Sequence, residues 1–360
     1  MRADLQAKIY KAILRLQSFA PPEGYFVAFS GGKDSIVVKH LCNLAQVKYD
    51  AHYSVTSVDP PELVYYIRQY HPDVSFDIPH DKDGKPVNMW NLIAKHTLPP
   101  TRKVRYCCEE LKECNGEGRV TVTGVRWAES PRRANTHGVV DFQNKPVGTR
   151  KMADAVGASY KLNKNGSVIL NDDNAEERRL VEQCYRTRKT LVNPIVDWSD
   201  EDVWDFIHEY HLPYCKLYDE GFKRLGCIGC PLSGRKNMEK EFERWPKYKK
   251  LYIKAFQHMV DNHPGQIKIL NPDYEAKCPF TEEEKLLSMK AEGGGSPVQA
   301  MASDYILMDS ESSSIGYFLA QNDAPPQQQA RKSSNGGCTN QPKLIWNSIM
   351  DLFAWWINKS

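Results

Sequence analysis

A run of six residues suited to binding phosphate lies near the start of the chain. It consists of Ser30, Gly31, Gly32, Lys33, Asp34 and Ser35. Two adjacent glycines let the backbone approach an anion closely, so that its N–H groups can donate to phosphate oxygens, and the lysine adds a mobile positive charge. A Walker A loop has Ser or Thr directly after its lysine, whereas Asp34 follows Lys33 here. The sequence therefore predicts a phosphate-binding loop of a different type.

Four of the ten cysteines form two close pairs. Cys107 and Cys108 are adjacent, and Cys227 and Cys230 form a CxxC pair. A structural zinc ion needs four ligands that converge on one point, which adjacent cysteines serve poorly. A [4Fe–4S] cluster has four irons, so each thiolate can bind its own. We favour the cluster, with a zinc site and uncoordinated thiols as the alternatives and Cys114 as a nearby additional thiol.

Strands and helices are predicted to alternate around the loop. Residues 25–29 are apolar and predict a buried strand that leads into the loop, and the apolar residues after Ser35 predict a helix. A second strand at about residues 51–58 ends at Asp59, and another helix follows. This alternation predicts an α/β fold with a parallel, twisted sheet and helices on both faces. Ligands bind such sheets at the carboxyl ends of the strands, where the loop is expected.

The composition divides the chain into four parts. Residues 1–20 predict an N-terminal helix, and residues 21–289 the main domain, with a polar insertion at 135–190. Within the insertion an Asn-Gly pair at residues 165–166 predicts a β-hairpin, and we interpret the insertion as a surface module. Residues 290–343 are rich in Gly, Ser, Gln and Pro and predict a flexible linker. Residues 344–360 predict a C-terminal amphipathic helix.

Composition and charge exclude several classes of protein. A formal net charge of +3 does not by itself indicate a nucleic-acid-binding protein. The N-terminus is charged throughout, and no stretch approaches the roughly 18 uncharged apolar residues of a membrane span. We therefore expect a cytoplasmic protein with no membrane partner. In that reducing compartment, ten cysteines do not predict a disulfide framework.

Several ordered motifs resemble one family. The loop resembles the SGGKDS motif of the PP-loop ATP pyrophosphatases, which include the phosphoadenosine-phosphosulfate (PAPS) reductases. The two cysteine pairs, with Leu111 and Lys112 after the first, resemble the CC…CxxC quartet of the iron–sulfur sulfonucleotide reductases and the related DNA-phosphorothioation enzymes. Residues 124–134 resemble the family's G-x-R-x-x-E-S-x-x-R-A element. The resemblance covers about residues 20–260 and implies an adenine-nucleotide α-hydrolase-like fold.

The resemblance also assigns roles to residues. The loop is expected to hold the phosphate end of ATP, adenylylsulfate or PAPS, with Lys33, Asp34 and Arg126 as the catalytic group. Arg126 and Arg133 are expected to contact phosphate or sulfate, because a guanidinium can grip an oxyanion with two parallel hydrogen bonds. Glu129 is expected to orient an arginine. The cysteines at 107, 108, 227 and 230 are expected to bind the cluster.

A second family motif is altered here. The motif usually reads DTG, whereas this chain has Asp59 followed by two prolines, so that the acidic residue is kept and the glycine turn is not. If the nucleotide is ATP, Mg²⁺ is required to bridge its phosphates, and Asp34 and Asp59 are the candidate ligands. Asp59 is therefore placed with the nucleotide-binding residues.

The sequence leaves three functions open. Reductases that release sulfite use a cysteine in a C-terminal ECGLH-like motif, which this sequence does not contain; Cys338 lies in a low-complexity segment. We therefore favour an enzyme that uses ATP to activate an acceptor for sulfur transfer. Nucleic acid is a possible acceptor, and a cysteine desulfurase or a thioredoxin-like reductant is a possible partner. The alternatives are an adenylylsulfate or PAPS reductase that uses thioredoxin, and a non-catalytic module that binds nucleotide and cluster.

Overall fold

The structure is a computed structural model that describes residues 2–142, 146–163, 166–171, 174, 176, 178, 180–181, 190–263, 353 and 356–357. The chain forms two compact units. The first contains Met1–Pro79 and Cys108–Cys227, and the second contains His80–Cys107 and Ile228–Ser360. The linker predicted at residues 290–343 lies outside the described residues, as does most of the predicted C-terminal helix.

An eight-stranded mixed sheet forms the centre of the first unit, in the order β3-β2-β1-β4-β8-β5-β7-β6. The first five strands in that order run parallel, and the last three pair antiparallel. The α/β class and the helices on both faces of the sheet are confirmed; five strands are parallel as predicted, and the sheet as a whole is mixed. The strands are β1 (Tyr25–Ala28), β2 (Tyr49–Ser54), β3 (Val74–Asp77), β4 (Val120–Val122), β5 (Val140–Phe142), β6 (Lys161–Leu162), β7 (Val168–Leu170) and β8 (Thr190–Val192).

The helices connect these strands and continue into the second unit. Short 3₁₀ turns lie at Trp127–Glu129 and Lys216–Tyr218, and a π-helical turn lies at Glu109–Glu113. The α-helices are α1 (Ala3–Ser18), α2 (Lys33–Leu44), α3 (Pro61–Tyr70), α4 (Met89–Lys95), α5 (Tyr106–Cys108), α6 (Pro131–Thr136), α7 (Pro146–Val156), α8 (Asp200–Glu209), α9 (Arg235–Arg244) and α10 (Pro246–Asn262). No helix in the described ranges is long and apolar enough to cross a membrane.

Helix α1 is held to the first unit by an apolar stripe and one buried ion pair. Leu5, Ile9 and Leu16 are buried on one side of the helix, as their helical spacing predicts. Arg15 is also buried, and its guanidinium donates to both carboxylate oxygens of Asp197 at 2.8 and 2.9 Å. This bidentate pair fixes the helix against the segment that follows β8.

The polar insertion contributes strands to the central sheet. The hairpin predicted around residues 165–166 is confirmed, because β6 and β7 pair antiparallel and Gly166 between them has φ +80°. The interpretation of the insertion as a surface module is wrong for β5 and β7, which are buried and extend the sheet beyond β8. Their apolar residues pack in the core, although the segment as a whole is polar.

Aromatic residues pack the core of the second unit. Tyr252 of α10 packs against Trp90 of α4 at a ring-centroid distance of 5.2 Å. Phe353 and Trp356, described near the C-terminus, are buried and lie against Phe242 of α9, at centroid distances of 5.7 and 6.2 Å. These contacts place the C-terminal aromatic residues in the core of this unit, where they are removed from water.

Candidate functional site

The glycine-rich loop at residues 30–35 connects β1 to α2 in the first unit. Gly31 has φ +72°, and a Cβ atom there would lie 2.7 Å from Cδ1 of Ile67 and 2.8 Å from Cδ1 of Leu63. A side chain is therefore excluded at Gly31 by both backbone conformation and packing. Gly32 is the N-cap of α2, so the first amides of that helix lie at the end of the loop. Amides at a helix N-terminus attract anions.

The two serines of the loop fix its shape by internal hydrogen bonds. Ser35 Oγ donates to the carbonyl oxygen of Gly32 at 2.8 Å, and Ser30 Oγ lies 3.3 Å from Ser35 Oγ. The amide of Gly32 donates to Ser30 Oγ at 3.4 Å. These contacts define the shape of the loop, with the shortest of them between Ser35 and Gly32.

Two nearly buried cations and two carboxylates meet at the loop. The side chains of Lys33 and Arg126 are only 7% and 2% exposed. Arg126 Nε donates to Asp34 Oδ1 at 2.7 Å, and its Nη2 donates to Asp200 Oδ1 at 2.7 Å. Lys33 Nζ lies 2.9 Å from the same oxygen of Asp200 and 3.3 Å from Asp34 Oδ2. The structure thus brings together all three predicted catalytic residues and adds Asp200.

The ion pairs favour the charged forms of Arg126 and Asp200. Burial by itself would lower the pKa of Arg126, but the carboxylates of Asp34 and Asp200 raise it. Burial by itself would raise the pKa of Asp200, but Lys33 and Arg126 lower it. Each charge is therefore stabilised by a partner of opposite sign rather than by water.

Parallel pairing of β1 and β4 brings Arg126 to the loop. The carboxyl ends of these neighbouring strands meet at one edge of the sheet, with the loop after β1 and Gly124 after β4. A Cβ atom at Gly124 would lie 2.9 Å from Cβ of Asp34, so the two backbones pack directly against each other. Only glycine permits this approach, and it directs Arg126, two residues later, towards Asp34.

Glu129 and Arg133 form a second ion pair beside the loop. Arg133 Nη1 donates to Glu129 Oε1 at 2.9 Å, and the same oxygen accepts from the amide of Arg126 at 3.1 Å. Burial lowers the pKa of Arg133, and the positive charges of Arg224 and Arg126 lower it further. The Glu129 carboxylate thus contacts both predicted anion-binding arginines: the backbone amide of Arg126 and the side chain of Arg133.

Tyr218 contacts the loop directly, although its position in the sequence suggests only a core residue. The amide of Lys33 donates to the Tyr218 hydroxyl at 2.9 Å. Burial raises the pKa of Tyr218, so the hydroxyl keeps its proton at neutral pH. Its oxygen accepts from the loop, while the proton is available to donate to a ligand.

Asp59 stabilises a turn on the neighbouring strand β2. Its Oδ2 accepts from the amide of Thr56 at 3.2 Å and from the hydroxyl of Thr56 at 2.7 Å. Both residues are buried. The Asp59 carboxylate thus holds the turn that follows β2, next to its partner Thr56.

The four paired cysteines are divided between the two units. In the first unit Cys108 and Cys227 lie near Lys112, and Cys227 Sγ is 3.7 Å from Thr56 Oγ1. Burial would lower the pKa of Lys112, but the charges of Cys227, Asp59 and Cys108 raise it. The other two, Cys107 and Cys230, belong to the second unit. In the part of the chain that the structure describes, no three Cys, His, Asp or Glu residues are grouped closely enough to hold a metal ion.

Sequence reasoning missed two residues of this site. In the sequence, Asp200 stands out only as a residue at the start of a helix, directly after the N-cap Ser199. Tyr218 was visible only as one of several aromatic residues before the CxxC pair. Neither has a spacing that indicates a phosphate site. Their contacts with Lys33 depend on how α8 and the turn at Lys216–Tyr218 fold back on the loop.

Comparisons with known proteins point to one family. The model described as "Phosphoadenosine phosphosulfate reductase domain" matches residues 24–233, which is more than half of the chain. An uncharacterized protein of Methanocaldococcus jannaschii is 25% identical over 264 residues, covering 71% of this chain and 52% of that protein. The adenosine 5'-phosphosulfate reductase of Staphylococcus haemolyticus is 24% identical over 149 residues, covering 40% and 44%. The chain thus spans about half the length of these curated relatives.

A similar solved structure is the phosphoadenylyl-sulfate reductase of Candida auris in its phosphate complex. It is 14% identical, and the match covers 63% of this chain and 96% of that one. The TM-score is 0.34, which is too low to bear on either fold or function.

Proposed function

The chain belongs to the phosphoadenosine phosphosulfate reductase family, and on this basis we propose that it binds an adenine nucleotide by its phosphate end at residues 30–35 and cleaves it there. The observation that carries the proposal is the meeting of Lys33 and Arg126 at a glycine-rich loop and a helix N-terminus. Such a site provides preorganised positive charge where negative charge develops on a departing anion, which is a major source of catalysis.

The favoured substrate is ATP, in a reaction that activates an acceptor for sulfur transfer. An oxygen of the acceptor attacks the α-phosphorus, and the bond from that phosphorus to the bridging oxygen breaks. Pyrophosphate leaves with the electron pair, and its charge is stabilised by the loop amides and Lys33. A sulfide then attacks the activated atom of the acceptor, and the bond from that atom to the AMP oxygen breaks, so that AMP leaves with the electron pair. Asp34 would contact Mg²⁺ carried by the phosphates, and nucleic acid is the acceptor class we propose.

A second candidate is reduction of a sulfonucleotide, favoured by relatives named adenosine 5'-phosphosulfate reductase. In that reaction a thiolate attacks the sulfur atom, an S–S bond forms, and the S–O bond breaks to release the nucleoside phosphate. A second thiol of a thioredoxin-like reductant then releases sulfite and forms a disulfide. The same loop, with Arg126 and Arg133, would hold the departing nucleotide's phosphate.

An iron–sulfur cluster remains part of the proposal, with Cys107, Cys108, Cys227 and Cys230 as its ligands. Thiolates are the usual ligands of such clusters, and the positively charged side chain of Lys112 lies near Cys108 and Cys227. When bound, the cluster would supply sulfur or electrons. In the reactions given above, the loop residues stabilise the groups that leave.

The two candidates are separated by their products. Anaerobically purified protein is incubated with ATP, Mg²⁺, sulfide and nucleic acid, or with adenylylsulfate or PAPS and reduced thioredoxin. Release of AMP and pyrophosphate in the mixture that contains ATP and nucleic acid supports the first candidate. Release of sulfite in the mixture that contains adenylylsulfate or PAPS supports the second. A Lys33→Ala variant purified in parallel controls for contaminating enzymes. Absence of all these products from the wild-type protein would contradict both candidates.

A further inference from the structure

The charges around the loop are balanced before any ligand binds. Lys33 and Arg126 contribute two positive charges, and Asp34 and Asp200 contribute two negative ones. A polyanion that pairs with both cations therefore competes with these carboxylates for them. This point rests on the proposed function and extends it to the identity of the group that is displaced.

The two carboxylates differ in how firmly they are held. The Asp34 side chain is 27% exposed, and the backbone at Gly124 packs against its Cβ. The Asp200 side chain is 67% exposed and lies at the first position of α8. The start of that helix is fixed by the reciprocal hydrogen bonds of Ser199 and Asp202, at 2.7 and 3.1 Å. The Asp200 side chain can therefore rotate away without disrupting the helix.

One oxygen of Asp200 bridges the two cations at the loop. Its Oδ1 lies 2.9 Å from Lys33 Nζ and 2.7 Å from Arg126 Nη2, which are hydrogen-bonding distances to both cations. A phosphate or sulfate oxygen held by the same two side chains would need the same position. The carboxylate and the ligand oxygen therefore exclude each other.

We propose that Asp200 is a built-in competitor for the anion site, which occupies the space between Lys33 and Arg126 until the phosphate end of the nucleotide displaces it. The competitor weakens the binding of every anion, because only molecules with Asp200 rotated away can bind. The cost is the same for every anion, so at a given concentration only ligands with strong further contacts, such as additional phosphate oxygens, remain bound.

The test compares Asp200→Asn with a matched control, Glu201→Gln. Glu201 is the next residue of α8, its side chain is 73% exposed, and its carboxylate pairs with Arg2 rather than with the loop. Both variants remove one negative charge from the same helix turn. Calorimetry without Mg²⁺ measures binding of ATP, pyrophosphate and adenosine to the full-length proteins, and thermal melting verifies that each variant is folded.

Asp200→Asn is expected to bind ATP and pyrophosphate about two- to fivefold more tightly than the wild type, the range for breaking exposed ion pairs. Glu201→Gln should bind ATP and pyrophosphate with the affinity of the wild type. The affinity for adenosine should be the same for all three proteins. Equal or weaker anion binding by Asp200→Asn, with ATP still bound by the wild type, overturns the inference but not the proposed function. Tighter pyrophosphate binding with no ATP binding by any protein supports the inference and contradicts the function. No anion binding even by Asp200→Asn overturns both.

Discussion

Asp34 accepts a 2.7 Å hydrogen bond from Nε of Arg126, although the two residues lie 92 positions apart in the chain. The bond joins the glycine-rich loop after β1 to the family element after β4, so the two strongest sequence motifs form one site. Arg126 is almost fully buried, and truncating it would leave Asp34 and Asp200 to share the single charge of Lys33, which also contacts both of them. This ion pair therefore positions, within the first unit, the two groups to which the proposed chemistry is assigned.

Replacement of Gly31 by alanine should destabilise the loop more than its backbone conformation alone explains. The new Cβ would lie 2.7 Å from Ile67, in addition to the cost of about 1–2 kcal/mol for a side chain at positive φ. The control is Gly118→Ala, because Gly118 has a similar φ of +76° and nothing within 4 Å. Urea unfolding should show a larger decrease in the free energy of unfolding for Gly31→Ala than for Gly118→Ala. Gly31→Ala should also lose ATP binding. Equal losses for the two variants would contradict this.

Replacement of Tyr218 by phenylalanine should weaken ATP binding about three- to tenfold, the effect of losing one or two hydrogen bonds. The hydroxyl accepts from the amide of Lys33, and its proton can donate to a ligand oxygen. Tyr214→Phe is the matched control, since the Tyr214 hydroxyl lies 3.2 Å from exposed Asp219 instead. Calorimetry that finds the same affinity for both variants would remove Tyr218 from the site.

The buried histidine at position 71 should make the protein sensitive to acid. Burial, together with the charge of Lys39, lowers the pKa of His71 to about 4. Because the unfolded chain binds a proton near pH 6.5, stability from this group is present above that pH and is lost as pH falls towards 4, by at most about 3 kcal/mol. His71 Nε2 also lies 2.8 Å from the Tyr66 hydroxyl.

His71→Gln should therefore be less stable than the wild type at pH 7, yet lose less stability between pH 6.5 and pH 4.5. Melting temperatures measured across that range test this, with the exposed residue His208 changed to Gln as the control. If the melting temperature of His71→Gln falls with pH as steeply as that of the wild type, groups other than His71 govern the acid sensitivity.

Serine at any of the four paired cysteines should abolish the iron–sulfur cluster. Anaerobically purified wild-type protein is expected to be brown and to contain about four irons per chain. Cys42→Ser should keep the iron, because Cys42 is buried and burial raises its pKa to about 12, so that it remains a thiol. Iron and zinc analysis of each variant gives the result. Stoichiometric zinc without iron in the wild type would contradict the cluster.

The parts of the fold and site that the sequence predicted depend on local patterns. The buried strand at residues 25–29 and the loop after it follow from short-range hydrophobicity and glycine spacing, and the family that they resemble is confirmed. The position of Asp200 depends instead on long-range packing of α8 near the loop. The surface-module interpretation wrongly included β5 and β7, because each strand is only three residues long, β5 has an aspartate at its centre, and polar residues surround both.

Direct measurement of nucleotide binding tests the central claim, that the phosphate loop of this chain binds an adenine nucleotide. Calorimetry is performed with ATP, adenylylsulfate and PAPS on the wild type and on Lys33→Ala, with melting curves to show that both are folded. The wild type should bind at least one of the three, and Lys33→Ala should bind it at least about tenfold more weakly, because a nearly buried charge-assisted contact is lost. A folded wild-type protein that binds none of the three, or a Lys33→Ala variant with unchanged affinity, would contradict the account.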